Sequence, residues 1–379
     1  MKPLKDPTRY LIATKDKFLK CFNAKPDINE SLKISVIPNA TISLHNANIK
    51  LCSQKVRHVK NSKKINKNTP YVDEDIILLG YGEDFIGHFL ANSFSRAWPI
   101  LDKKYKNHTF VIVTNGPLAP NGKEFYKLMG IKKLLFVNTP VRFKNVLVPD
   151  SSFNYTKLYA NKKFSETFKK IADAVKPDPK SPKKIYLSRT KFTNNMVLGE
   201  DQIEKIFKKA GFKIIHPQIP TKTGWDVMPL QKQIQLMKGA DVIAGVEGTG
   251  LHLSLFAKDG IDLICLHRYN NPLVMQIMID KLKNINSYYI DTSIDPYSKK
   301  KNTCPACIIG INKNLQRFFK DYGFIYNTDS KADKKEMDKF LKIYKEKKRV
   351  IPKWLGNIIL TFISSRNMRH SLRHKLGLK

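Results

Sequence analysis

The sequence predicts an α/β protein of two domains, each a parallel sheet with helices on both faces, facing one another across a cleft. Three observations predict it. The chain has 379 residues, past the size at which one hydrophobic core stops growing. From Asp75 onward, short apolar runs of buried-strand type alternate with segments of helical period, the pattern of a parallel sheet. Between the two alternating series lies Lys176-Pro177-Asp178-Pro179-Lys180-Ser181-Pro182-Lys183-Lys184, a polar run with three prolines that reads as a linker. The expected division is a first domain over 1–175, the linker over 176–184, a second domain over 185–341 and a basic tail over 342–379.

The first seventy residues read as irregular, with strand-like runs at Ile34–Ile37 and Thr41–Leu51 and a basic stretch from Lys55 to Lys67. Ile76–Leu79 is the first buried strand. A helix is expected over Phe85–Leu101, because Leu90, Phe94, Ala97, Trp98 and Leu101 share a face. Strand Phe110–Val113, helix Lys123–Met129, strands Leu134–Val137 and Val146–Val148, and helix Lys162–Val175 follow. The second half reads strand Ile185–Leu187, helix Glu200–Ala210 ended by Gly211, and strand Phe212–Ile215. Helix Leu230–Met237 and strand Val242–Val246 come next, then the turn Glu247-Gly248-Thr249-Gly250 and a short helix to Ala257. Strand Leu263–Leu266, helix Pro272–Leu282 and strand Tyr288–Ile290 complete the series. Open α/β sheets bind ligands beyond the carboxyl ends of their strands, so the turns there are the places to look.

Composition narrows the function. Lys+Arg number 68 against 32 Asp+Glu, a formal charge of +36, and 57 of the basic residues are lysine against 11 arginines. A lysine-heavy surface suits diffuse attraction to an acidic partner such as nucleic acid, anionic lipid or a charged polymer. Base readout leans more on arginine. At 42% hydrophobic and 10% aromatic, the chain is not mainly disordered. Its start lacks the apolar run of a signal peptide, and no stretch of about 18 uncharged apolar residues spans a bilayer. The five cysteines are odd in number and scattered, which fits a reducing cytoplasm. Cys304-Pro305-Ala306-Cys307 has no second pair at metal-ligand spacing and reads as two thiols. Asp73-Glu74-Asp75, the only Asp-x-Asp, precedes its strand instead of following it and reads as a solvated strand start. No metal site is expected.

Three segments can carry chemistry. Glu247-Gly248-Thr249-Gly250-Leu251-His252 follows a buried strand and opens a helix, where small residues and free N–H groups favour a phosphate; the plain alternative is an ordinary βα turn. Ser188-Arg189-Thr190-Lys191 ends the first strand of the second series with two cations and two hydroxyls that suit a diphosphate; the alternative is a solvated basic turn. Gly82-Glu83-Asp84-Phe85-Ile86-Gly87-His88 follows a strand. With helix begun by Asp84, Asp84 and His88 are i, i+4 neighbours and an oriented imidazole base results; the alternative is an N-cap and a packing histidine.

Five places, in order and spacing, match one family. They are Gly87-His88-Phe89-Leu90 with Arg96; Tyr186-Leu187-Ser188-Arg189; Gly199-Glu200-Asp201-Gln202-Ile203-Glu204; Gly211-Phe212 with His216-Pro217; and Gln233-Ile234 leading through Ala240 to Gly248-Thr249-Gly250-Leu251-His252. Over residues 75 to 295 the chain resembles glycosyltransferase family 61, its bacterial members especially. The resemblance implies two Rossmann-like halves of the GT-B type. It implies a nucleotide-sugar donor in the second half, where the expected donor-binding residues are Ser188, Arg189, Lys191, His216, Gly248, Thr249, Gly250 and His252. It also implies acceptor contacts in the first half, and inverting transfer with no obligate metal and no cofactor. Glu247 stands where many members have His, and Gln218 where many have Glu.

Inverting transfer needs a base across the cleft from Arg189. His88 oriented by Asp84 is the first candidate, with Asp84 or Glu83 acting directly as the next and Glu247 the outside choice. From Lys342 to Lys379 there are 11 Lys/Arg and one Glu, and Trp354, Leu355, Ile358, Ile359 and Phe362 share a helical face. That is the pattern of an in-plane helix on an anionic membrane, or of a terminal helix docked on the body. The function expected is sugar transfer onto a glycan or lipid-linked acceptor of a bacterial surface polysaccharide, at the cytoplasmic face of the membrane. The alternatives are a basic nucleic-acid-binding protein, which lacks any specific nucleic-acid motif, and a non-catalytic glycan-binding member of the family.

Overall fold

The computed structural model describes residues 6, 8–11, 14–24, 30–45, 48–52, 68–114, 116–192, 196–221, 225–269, 271–295 and 306–348. The protein is a mixed α/β fold on two main sheets, with three two-stranded ribbons beside them among the described residues. The first has six strands: β1 (Ile34–His45), β2 (Asn48–Cys52), β3 (Tyr71–Tyr81), β4 (Thr109–Val113), β5 (Lys133–Val137) and β6 (Val141–Pro149), in the order β2-β1-β6-β3-β4-β5. Strand β3 runs parallel to both β4 and β6, and β4 to β5, whereas β1 is antiparallel to β6 and β2. Ile76 to Leu79 of β3 and Phe110 to Val113 of β4 are buried, as continuous apolar runs covered on both faces should be.

The second sheet has five parallel strands: β7 (Lys184–Leu187), β8 (Lys213–Ile215), β9 (Val242–Val246), β10 (Asp262–His267) and β11 (Asn286–Asp291), in the order β8-β7-β9-β10-β11. All five residues of β9 are buried at its centre. The helices are α1 (Lys15–Asn23), α2 (Ile86–Asn92), α3 (Gly122–Leu128), α4 (Lys162–Asp173), α5 (Glu200–Lys209), α6 (Leu230–Gly239), α7 (Val274–Leu282), α8 (Lys313–Asp321) and α9 (Ser330–Lys348). Gly211 ends α5 with φ +85°, in the left-handed region that favours glycine. Among the described residues no helix is long and apolar enough to cross a membrane.

Three expectations change. The helix expected over Phe85–Leu101 stops at Asn92 and continues as 3₁₀ turns at Phe94–Arg96 and Trp98–Leu101. Ser95 Oγ donates to the Ala91 carbonyl at 2.7 Å and Ser93 Oγ to that of Phe89 at 3.3 Å, and side chains that bond back to a helix loosen it. Pro99 then lacks the N–H a longer helix would need.

The described residues among the first seventy are also more regular than expected, and residues 8–11 and 14–24 pack on the other half. Tyr10 is buried in the core around Tyr186, Phe207 and Phe318 of the second half. Its carbonyl accepts from the Asp291 N–H at 3.1 Å, and its hydroxyl donates to Asp321 at 2.8 Å. Phe18 of α1 packs on His267 and Tyr289. Lys281 caps the end of α1 by donating to the carbonyls of Cys21, Phe22 and Ala24. Residues 8–11 and 14–24, expected in a first domain over 1–175, therefore pack with the second half.

The tail expected from Lys342 begins inside α9. Phe340 and Tyr344 are buried there against Leu198, Ala306 and Ile308. Beyond Lys348 the tail, with Trp354, Leu355, Ile358, Ile359 and Phe362, lies outside the described residues, as do Cys304 and the whole basic stretch from Lys55 to Lys67.

An apolar seam joins the two halves. A 3₁₀ segment, Thr249–Phe256, follows β9, and the Phe256 ring packs on Phe125 of α3 at 5.8 Å and Phe168 of α4 at 5.1 Å. At Gly87 of α2 the approach is so close that a Cβ would meet Thr249 Cγ2 at 2.9 Å. Lys238 of α6 donates to the carbonyls of Ala172 at 2.6 Å and Val175 at 2.7 Å, capping the end of α4 from across the seam.

Candidate active site

A cavity of about 510 Å³ lies where the carboxyl ends of β7, β9 and β10 meet the loop that opens α2. Ser188 and Arg189 enter from β7, Glu247 to Gly250 from β9, and Arg268 and Tyr269 from β10. Asp84, Phe85 and Ile86 face them from the first half.

The second-half wall is built on carboxylates that accept hydrogen bonds from neighbouring protein groups. Glu200 opens α5, is fully buried, and accepts the Arg189 N–H at 3.0 Å and the Tyr186 hydroxyl at 3.0 Å. It can sit there because Gly199 has φ +81° and no side chain; a Cβ would meet the Ile309 carbonyl at 2.2 Å. Glu204, one turn on, accepts the Ser188 hydroxyl at 2.6 Å and that of Thr190 at 3.1 Å. The Arg189 guanidinium lies over the Phe192 ring at 4.5 Å. Burial, reinforced by repulsion from Arg268, brings its pKa down to about 10.

Glu247 is buried, and its Oε2 is 2.6 Å from His267 Nδ1. Burial alone would disfavour the imidazolium, but the Glu247 carboxylate outweighs it and the His267 pKa is raised. Among the described residues Glu247 Oε1 and His267 Nε2 have no hydrogen-bond partner. A carboxylate locked to an imidazole is poorly placed to take a proton from an incoming hydroxyl, so Glu247 has a holding role here.

The other expected residues divide. Ser188, Arg189, Gly248, Thr249 and Gly250 line the cavity. Lys191 is exposed and His216 half-buried, and neither lines it; burial lowers the His216 pKa. His252 is a core residue: it is 1% exposed, its Nδ1 is 2.9 Å from Gln276 Oε1, and burial lowers its pKa to about 4. It does not reach the cavity. Asp84 lines the cavity and His88 does not. Helix α2 begins at Ile86, so Asp84 precedes the helix and is not one turn below His88. The exposed His88 ring instead meets Phe85 edge-on at 6.4 Å. Glu83 is a strut: its side chain accepts from Asn92 at 2.9 Å and its carbonyl from the Ala119 N–H at 2.7 Å.

The sequence reading missed Arg268, Tyr269 and His267. Their signal was positional, since they directly end the strand beside β9, where ligands of such sheets are found. Among the described residues no group of three acidic, histidine or cysteine side chains could hold a metal ion. Asp73 pairs with Lys144 at 3.7 Å and Asp75 accepts from Asn145 at 2.7 Å, both at the start of β3, the end opposite the cavity.

Residues 86–264 match the family Glycosyltransferase 61. Over this segment the match supports the resemblance to glycosyltransferase family 61. No curated protein matches it. Among solved structures, the dodecameric iron-containing heptosyltransferase TibC in complex with ADP-D-beta-D-heptose is similar at 9% identity and a TM-score of 0.27, over 66% of this chain and 83% of that one. The family match runs from the start of α2 into β10. It covers Arg189, Glu200 and the Gly248–Gly250 turn. Asp84 lies just before it and Arg268 just after.

Glu200 gives a prediction about stability. Burial pushes its carboxyl from 4.5 up to about 7. Between those values the folded chain keeps a proton that the unfolded chain has released, so this residue's contribution is full below about pH 4.5. It is lost as pH rises through 7, by on the order of 3 kcal/mol. Urea unfolding of wild type and Glu200→Gln at pH 5 and pH 8 should show a steeper fall for wild type. Equal falls in the two proteins would mean the carboxyl does not titrate in that window.

Proposed function

We propose that this protein is an inverting glycosyltransferase of the two-domain GT-B type. It moves a hexosyl, pentosyl or related sugar from a nucleotide-sugar donor to a glycan or lipid-linked acceptor in bacterial surface polysaccharide synthesis. The observation that supports this reading is a single cavity holding Arg189 and the Gly248–Gly250 turn on one wall and Asp84 on the other. The donor diphosphate sits against Arg189 and the backbone N–H groups that open the 3₁₀ segment, so charge developing on the leaving group meets fixed donors in a partly dry site. Nothing in this scheme calls on a metal ion.

Asp84 is the base of this scheme. Among the described residues it is the one carboxylate of the first half that lines the cavity, and it is exposed there. It takes the acceptor hydroxyl proton as that oxygen attacks the sugar carbon from the face opposite the diphosphate. His88, one turn into α2, orients the acceptor from outside the cavity lining. A lipid-linked acceptor also gives the basic tail a purpose at the cytoplasmic face of an anionic membrane.

Donor binding and turnover test this reading together. Arg189→Ala should weaken nucleotide binding about ten- to a hundredfold by calorimetry, the worth of a charge-assisted hydrogen bond. Asp84→Asn should keep donor binding and lower kcat by about 10² to 10⁴, whereas His88→Ala should cost much less. The reverse ranking of those two variants would return the base to His88. Turnover should be unchanged in EDTA; loss restored by Mn²⁺ or Mg²⁺ would make the transfer metal-dependent. Removing the residues beyond Arg349 should release the protein from anionic vesicles in a sedimentation assay, and retention of the truncated chain would give the tail another role.

A further inference from the structure

Among the described residues, the Phe and Tyr rings that line the cavity are Phe85, Phe125, Phe192 and Tyr269. Three of them are engaged by the protein itself. Phe125 is buried in the seam against Phe89, Phe94 and Phe256. The Arg189 guanidinium lies over Phe192 at 4.5 Å and that of Arg268 over Tyr269 at 4.3 Å. Phe85 is different: it stands in the cavity wall and is 65% exposed. Tyr71 and Phe136 are also exposed, but away from the cavity, and each has a cation over its ring, Arg142 at 5.2 Å and Lys123 at 5.3 Å. Among the described residues no cation lies over Phe85. His88 approaches it edge-on at 6.4 Å.

A single exposed phenylalanine on an open surface needs no explanation. This one follows Asp84 directly and is held in place by its neighbours. The Gly82 N–H donates to the Val113 carbonyl at 2.9 Å, and the Glu83 carbonyl accepts from the Ala119 N–H at 2.7 Å. The Phe85 carbonyl accepts the Phe89 N–H at 2.8 Å as α2 opens, and Ile86 packs against the core. Asp84 and Phe85 therefore lie between anchored residues. A phenyl side chain has few rotatable bonds to freeze on binding, so an aromatic ring held this way is a low-cost contact surface.

We propose that Phe85 is an acceptor-binding residue, the platform on which a pyranose ring of the acceptor lies, and that the acceptor ends in a sugar instead of a bare lipid phosphate. This rests on the reading that the cavity transfers a sugar and that Asp84 takes the acceptor proton. A pyranose has a face of C–H groups, which carry slight positive charge and meet the negative face of an aromatic ring favourably. Its hydroxyls project around the rim of the ring, free to hydrogen-bond to the neighbouring carboxylate. A phosphate has no such face, and the negative face of a neutral phenyl ring repels an anion.

The test is saturation-transfer NMR of the full chain with methyl β-D-glucopyranoside, methyl β-D-galactopyranoside and methyl β-D-xylopyranoside, and with geranyl phosphate as a lipid phosphate without a sugar. Wild type, Phe85→Tyr and Phe85→Leu are compared, with UDP, GDP, CDP and ADP titrated into wild type in parallel. Wild type should bind at least one glycoside and transfer saturation most strongly to the C–H protons of one ring face. Phe85→Leu should lose about three- to tenfold in affinity for it, and Phe85→Tyr, which keeps the ring, should stay within about twofold. Because the side chain is exposed, both variants should melt as wild type does. Wild type that binds no glycoside overturns the platform. So does equal affinity in Phe85→Leu, or a dependence on Phe85 shown by geranyl phosphate and not by the glycosides. If the glycosides bind through Phe85 and no nucleotide binds, the platform stands as that of a glycan-binding protein and the transfer reading falls.

Discussion

The site depends on the apolar seam between the halves. Phe256 packs on Phe125 and Phe168, and Gly87 lets α2 approach Thr249. These contacts belong to the segment that leaves the central strand β9, so one stretch of chain forms both the floor of the cavity and the joint between its walls. Truncating a buried phenylalanine costs about 3–5 kcal/mol in a packed core. Here such a loss would also misplace Asp84 relative to Arg189, coupling stability to geometry more tightly than in a site carried on one sheet.

Charge is distributed against the trend of the whole chain. With a formal +36, the protein has basic groups to spare, yet each cavity-side carboxylate of the second half is assigned to a protein donor. Glu200 serves the Arg189 backbone, Glu204 the Ser188 hydroxyl and Glu247 the His267 ring. None is turned over to the Arg268 guanidinium. A site that keeps its anions occupied with its own donors is suited to an anionic ligand, and it achieves this through local pairing instead of net charge.

The sequence was most legible where structure is locally determined. Val242–Val246 stands out as a strand because burial on both faces demands an unbroken apolar run, and the Gly-rich turn after it marks a strand end. The length of α2 was hidden because Ser93 and Ser95 read as an ordinary polar face, whereas their hydroxyls bond back into the helix. His252 follows a phosphate-friendly turn, but every residue from Leu251 to Phe256 is buried, which turns it into the core. Arg268 was hidden among 68 basic residues, with only its place after β10 to distinguish it. Of the two residues expected to pair as base and orienter, Asp84 lines the cavity and His88 does not, a division hidden by the misjudged start of α2.

The docking of the first residues onto the second half has a consequence for how the chain is made. Tyr10 bonds to Asp321, a sequence separation of 311 residues. During synthesis from the amino end, that segment emerges long before its partners, and a contact so distant forms only after nearly the whole chain is available. The first sheet can assemble as its strands appear, but the second half stays uncovered until the opening residues return to it. Closure of this large loop is a late event, and an interrupted chain would expose Tyr10 and Phe18 as an unsatisfied apolar arm, a target for chaperones or for a neighbouring copy.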